Sequence, residues 1–165
     1  MGVDKVRPIF LLTIKPSSRK NGQPNMIIVD TGFWLALANE QDNHHQQAQL
    51  VIQRLREPLI TTWCVVTETC YLLLTRIGNH AQLLFIQNFL AGGFEVFELQ
   101  SNHVRRMQQL MKRYEDIPMD LADASLVVLA ENLGHGKILT SDRRDFSIYR
   151  WQDTHTFQNL FLGYP

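Results

Sequence analysis

Cysteine is scarce: Cys64 and Cys70 are the only 2 in 165 residues. They sit one helix turn and a half apart in an apolar stretch. That is neither a disulfide framework nor a zinc-ligand spacing, and it fits a reducing, cytoplasmic compartment. Long apolar runs are also missing. None approaches the ~20 residues that a membrane-spanning helix needs, so no membrane partner is expected. The N-terminal apolar run is too short for a signal peptide, and no small-residue cleavage site follows it. Net charge of either sign is absent, with 16 basic residues against 16 acidic ones. Charged residues make up 19% and hydrophobic residues 45%, a balance that excludes a disordered chain. No internal repeat is visible. The simplest organisation at this length is one domain with enough interior for a real core.

The neutral total conceals an asymmetry. Residues 1–25 hold 5 basic side chains (Lys5, Arg7, Lys15, Arg19 and Lys20) against the single acid Asp4, a net +4. The remainder has 11 basic and 15 acidic residues, a net −4. An acidic domain is a poor non-specific nucleic-acid binder. Either the substrate is not nucleic acid, or many of the acids are occupied by metal. Within the basic N-terminal extension, "FLLTI" has the composition of a short strand and "KPSSRKNGQPN" that of a flexible linker. The compact pattern begins at Met26, itself a candidate translation start, and places the domain at residues 26–165.

From there strands and helices alternate. "MIIVD" reads as a buried strand ending in Asp30, with helix from about Phe33 and a second helix over His45–Arg56 after the break at "NEQDN". "PLITT" is the second strand. "WCVVTETCYLLLTR" and "NHAQLLFIQNFLAG" read as two helices split at Gly78–Asn79. "GFEVFEL" is the third strand, and "SNHVRRMQQLMKRYED" an amphipathic helix capped by Ser101 or Asn102. "PMDLADASLVVLAENLG" is the next helix, closed by Gly134. "KILTSD" is a fourth strand ending in Asp142, and "THTFQNLF" adds an edge strand. Short buried strands between helices predict a parallel sheet of four to five strands covered on both faces, a three-layer α/β/α arrangement. Ligands of such sheets bind beyond the carboxyl ends of the strands.

The acids then fall together. Asp30 and Asp142 end strands at that edge. Asp123 starts a helix that runs antiparallel to the strands, so its N-terminus lies there too, with Asp120 beside it. Glu68 lies early in the helix after the second strand and is the sole charge between Glu57 and Arg76. Each acid has a plain structural alternative. Asp120 suits an N-cap, Asp123 a first-turn acid, Asp30 a helix cap, Asp142 a turn cap, and Glu68 an exposed stripe. Their convergence at one edge is harder to explain structurally. Two unit charges about 5 Å apart repel by roughly 3 kcal/mol at an effective dielectric near 20. Four carboxylates make six such pairs, which rivals a domain's typical stability of roughly 5–15 kcal/mol. Proton uptake relieves part of this. A divalent cation relieves more, and an all-oxygen donor set suits Mg²⁺ or Mn²⁺.

At these residues the chain resembles a known family. "MIIVDTGFWLALANEQDNHH", "TTWCVVTE", "PMDLADASLVVLAENLG" and "ILTSDRRDF" are similar, in order, to the successive blocks of PIN-domain ribonucleases, most of all VapC-type toxins. The resemblance implies a PIN-like fold. It also implies that Asp30, Glu68, Asp123 and Asp142 hold Mg²⁺ or Mn²⁺ and cleave RNA. Asp120 matches an additional acid, and Thr31 and Ser141 match small polar positions beside the site. A small antitoxin protein and a homodimer are the implied partners. Residues 1–25 depart from the family pattern, in which the chain starts near the first strand. Arg143 and Arg144 are candidate phosphate contacts, with surface pairing to Asp145 as the alternative. Asp42, His44 and His45 read as a cap and solvated helix start. Arg105, Arg106, Lys112 and Arg113 read as a solvated helix face, and Phe33 and Trp34 as core. Two variants of the leading function stay open: a housekeeping RNA-processing enzyme and a non-catalytic binding module. A receiver-type phosphoacceptor fits less well, because strand one offers only Asp30 and "FEVFEL" ends without an Asp.

Overall fold

A computed structural model describes residues 25–117 and 119–161. Pro118, "FLLTI" and nearly all of the basic extension lie outside the described residues. Five strands form one sheet in the order β3-β2-β1-β4-β7. They are β1 (Ile27–Val29), β2 (Leu59–Thr62), β3 (Glu95–Phe97), β4 (Lys137–Leu139) and β7 (Gln158–Asn159). All four pairings are parallel, and Ile28 of β1 lies between Ile60 of β2 and Ile138 of β4. Between them run α1 (Thr31–Ala38), α2 (His45–Arg54), α3 (Trp63–Arg76), α4 (Asn79–Leu90), α5 (Ser101–Arg113), α6 (Leu121–Leu133) and α7 (Arg143–Ile148). A small antiparallel hairpin, β5 (Arg150–Trp151) and β6 (His155–Thr156), precedes the edge strand. The architecture is the three-layer α/β/α fold with a parallel five-stranded sheet.

β1 is the central strand, and its residues are wholly buried. That is why its sequence is an unbroken β-branched run rather than an alternating one. Trp34 and Phe33 sit in the core as expected. Trp34 contacts Phe85 at 5.4 Å and Phe94 at 4.8 Å between ring centres, which ties α1 to α4 and to the entry of β3. α6 is buried from Ala122 through Ala130 except for Asp123, so its first turn is held by the core behind it. Gly134 takes the left-handed conformation (φ 72°) that ends this helix, a conformation glycine adopts without a Cβ penalty.

Local chemistry moves several boundaries. α1 begins at Thr31, two residues ahead of the expected start, because the Asp30 carboxylate accepts from the Thr31 amide at 2.7 Å. α2 ends at Arg54 rather than Arg56, since Leu55 turns extended and packs inward. The cap of α5 is Gln100, not Ser101 or Asn102, and its amide is satisfied by His103 Nδ1 at 3.0 Å. β4 stops at Leu139. Beyond it Asp142 caps the short helix α7 by accepting from the Asp145 amide at 2.9 Å.

Candidate active site

The carboxyl edge of the sheet collects the expected acids. Asp30 follows β1 and is 8% exposed. The Thr140 hydroxyl donates to its Oδ2 at 2.7 Å and the Thr31 amide to its Oδ1 at 2.7 Å. Glu68 sits in the second turn of α3, half-buried, and accepts from the Thr31 hydroxyl. Asp120 is the N-cap of α6 and accepts from the Asp123 amide at 2.9 Å. Asp123 is half-buried and accepts from the Tyr149 hydroxyl at 3.1 Å. The capping roles open to Asp30, Asp120 and Asp142 are therefore all filled, and the same carboxylates feel the charges of the others.

Burial and neighbouring charge raise the proton affinity of two of them, Asp123 and Asp30. Burial pushes the Asp123 carboxyl up to about 8, and the nearby charges of Asp120, Asp30 and Asp142 add to the rise against the Tyr149 hydrogen bond. Asp30 rises to about 6 through burial, opposed by its bonds from Thr140 and Thr31 and helped by the charges of Glu68 and Asp142. Asp30, Glu68, Asp120, Asp123 and Asp142 thus form one electrostatically coupled group. Among the described residues, no three His, Cys, Asp or Glu side chains are disposed to hold a metal ion as they lie. Each of the five carboxylates instead accepts a hydrogen bond from the protein. The donor set is hard oxygen throughout, and two of its members hold protons more tightly than ordinary aspartates. Both properties fit a divalent cation, which would displace the protons and relieve the repulsion.

Ser141 lies over the first turn of α1. A Cβ on Gly32 would stand 2.0 Å from the Ser141 hydroxyl and 3.1 Å from its Cβ, so any larger residue there obliges Ser141 to move. Arg143 and Arg144 open α7 and are exposed. Arg144 Nε lies 3.9 Å from Asp145, a loose surface pairing. A groove of about 450 Å³ reaches Glu68 and Asp120 and is walled by Trp63, Thr67 and Leu121. His45 is buried with its ring on the Ala36 carbonyl at 2.7 Å, and Asp42 accepts from the His44 amide at 2.8 Å, so these residues serve the helix start. The face carrying Arg105 and Lys112 is exposed as expected, but two of its cations, Arg106 and Arg113, are engaged. They join Glu131 and Asp153 in an ionic network that fastens the β5–β6 turn to α5 and α6.

Two contributors escaped the sequence reading. The buried Thr140 hydroxyl donates to Asp30 and accepts from the Asp142 amide at 2.9 Å, so one hydroxyl ties two of the acids. Its signal was its place just past β4, between the strand and Asp142. Tyr149 had no local signal, because its contact with Asp123 is tertiary and joins residues far apart in the chain.

The parallel five-stranded sheet between layers of helices, with acids near its carboxyl edge, places the chain in the three-layer α/β/α class. The family model "PIN domain" matches residues 27–151, and the chain belongs to the PIN domain family. It is 31% identical over 124 residues to Ribonuclease VapC26 of Mycobacterium tuberculosis, covering 75% of this chain and 92% of that protein. Its fold is similar to the crystal structure of Mycobacterium tuberculosis VapC20, described as a sarcin-ricin loop cleaving toxin. The TM-score is 0.67 at 23% identity, covering 72% of this chain and 91% of the other.

Proposed function

We propose that this chain is a Mg²⁺- or Mn²⁺-dependent endoribonuclease and the toxin of a toxin–antitoxin pair. The observation that carries the reading is the coupling of Asp30, Glu68, Asp123 and Asp142 at one sheet edge, with Asp30 and Asp123 raised by burial and by their neighbours' charges. The ribonuclease name of the 31% identical relative supports the substrate class.

Asp30, Glu68, Asp123 and Asp142 would hold the cation or cations. A bound cation lowers the pKa of an attacking water and offsets charge on the phosphate. The chain's own residues prepare this. Thr140 and the Thr31 amide hold both oxygens of Asp30 in place. Asp123 gives up its proton on binding, so affinity rises with pH. Asp120 keeps the first turn of α6 in register, the buried Thr31 hydroxyl donates to Glu68, and Ser141 lies against the first turn of α1. Arg143 and Arg144 at the start of α7 would take phosphates of the RNA strand, supplying positive charge that the acidic domain otherwise lacks. The nuclease is residues 26–165, working in the cytoplasm, with RNA as substrate, a small antitoxin as inhibitor and a second copy of the chain as partner.

The test is cleavage of a mixed RNA substrate with and without EDTA. Cleavage in Mg²⁺ or Mn²⁺, its loss in EDTA, and its loss in Asp30→Asn and Asp142→Asn are expected. Persistent cleavage in EDTA would overturn the metal-dependent mechanism. No cleavage of any RNA by the folded wild-type chain in Mn²⁺ would overturn the enzyme.

A further inference from the structure

We propose that Tyr149 is a positioning residue for Asp123: its phenol engages Oδ2, fixes the rotation of the carboxylate and leaves Oδ1 for the cation. This rests on the reading that Asp123 is a metal ligand. The hydroxyl donates to Asp123 Oδ2 at 3.1 Å, joining the C-cap of α7 to the first turn of α6. The ring itself is wholly buried, with Tyr114 at 5.1 Å and Phe146 at 5.4 Å edge-on, so it has no freedom to swing away. The chain just beyond is pinned as well, since the Arg150 amide donates to the Tyr114 hydroxyl at 3.0 Å.

The placement has a logic that packing alone lacks. Phenylalanine would fill the same aromatic space without a polar atom. A buried hydroxyl costs free energy unless it is satisfied, and here a site acid satisfies it. Tyr149 is also the C-cap of α7, whose N-cap is Asp142. One short helix therefore carries Asp142 at its start and the partner of Asp123 at its end. α7 acts as a spacer that sets two acids from different elements relative to each other. Groups that orient a metal ligand in this way typically change metal affinity by roughly 10–100-fold when removed.

The experiment titrates Mn²⁺ alone into the full chain by calorimetry, comparing wild type with Tyr149→Phe, Tyr71→Phe and Asp123→Asn. Tyr71→Phe is the control, because it deletes the hydroxyl of an exposed tyrosine outside this aromatic cluster. Tyr149→Phe should bind Mn²⁺ roughly 10–100-fold more weakly than wild type. Tyr71→Phe should match wild type, and Asp123→Asn should lose most affinity. If Tyr149→Phe binds as wild type while Asp123→Asn does not, Tyr149 is a structural residue and the proposal fails alone. If Asp123→Asn binds as wild type, or wild type binds no Mn²⁺, the underlying metal-site reading fails and takes the proposal with it. Should the Phe variant not fold, fluorotyrosine-labelled wild type answers instead, with Tyr149 assigned by elimination through Phe variants of the other tyrosines. Its ¹⁹F resonance must shift as Mg²⁺ is added, and an unmoved resonance overturns the proposal.

Discussion

Asp123→Asn separates a working carboxylate from a helix-start residue, and the two readings differ in how stability depends on pH. The unfolded chain ionises this aspartate near the ordinary value of 3.8, whereas the folded chain holds the proton up to about 8. Between those values the folded state binds one more proton than the unfolded state. Stability must then fall as pH rises, by about 1.4 kcal/mol per pH unit for this one group. Over three units, from about pH 5 to pH 8, the ceiling is roughly 4 kcal/mol, and solvent screening at a half-buried carboxyl brings the expected figure to about 2 kcal/mol. The asparagine keeps the shape and removes the titration. The measurement is urea unfolding in EDTA at pH 5, 6.5 and 8 for both proteins. Near pH 5 the variant should equal wild type or fall slightly below it, since a neutral carboxyl is replaced by a neutral amide. Near pH 8 it should be the more stable by about 2 kcal/mol. A simple first-turn acid predicts the reverse, with the variant losing about 0.3–1 kcal/mol at neutral pH through the helix dipole. Parallel pH curves for the two proteins would refute the cluster reasoning.

Other perturbations follow from single contacts. Thr140→Val leaves Asp30 and the Asp142 amide each short of a partner; it should cost about 1–3 kcal/mol by denaturant midpoint and reduce cleavage. Gly32→Ala drives a methyl into the Ser141 hydroxyl and should cost about 1–3 kcal/mol in thermal melts, with most of the loss recovered by adding Ser141→Gly. A chain beginning at Met26 should fold and cleave RNA like the full chain, and failure to fold would make "FLLTI" an integral strand.

The sheet was legible because each strand is a short buried run between helical patterns, and the parallel pairing of β1 with β2 and β4 follows from that alternation. The acids were legible for a related reason. Asp30, Asp123 and Asp142 stand at strand and helix ends, and in a parallel sheet those ends share one edge. Glu68 was reachable as a lone charge one and a half turns into α3. What stayed hidden was tertiary. The bond from Tyr149 to Asp123 depends on how the chain between α7 and β5 comes to lie beside α6, and the double use of the Thr140 hydroxyl depends on the spacing between β1 and β4. Arg106 and Arg113 looked like a free basic face, because nothing local announces that Asp153 in the hairpin turn reaches back to them. Helix boundaries shifted by one or two residues where a cap such as Gln100 took the place of the more usual serine.

The central claim is that Asp30, Glu68, Asp123 and Asp142 share a divalent cation. Crystals grown with Mn²⁺ and measured at the manganese absorption edge address it directly, because anomalous scattering locates the ion without assumption. One or two manganese peaks bonded to oxygens of Asp30, Asp123 and Asp142, with Glu68 bound directly or through water, are the expected result. Manganese bound only elsewhere, or a fully ordered acid cluster without it at saturating concentration, would contradict the account.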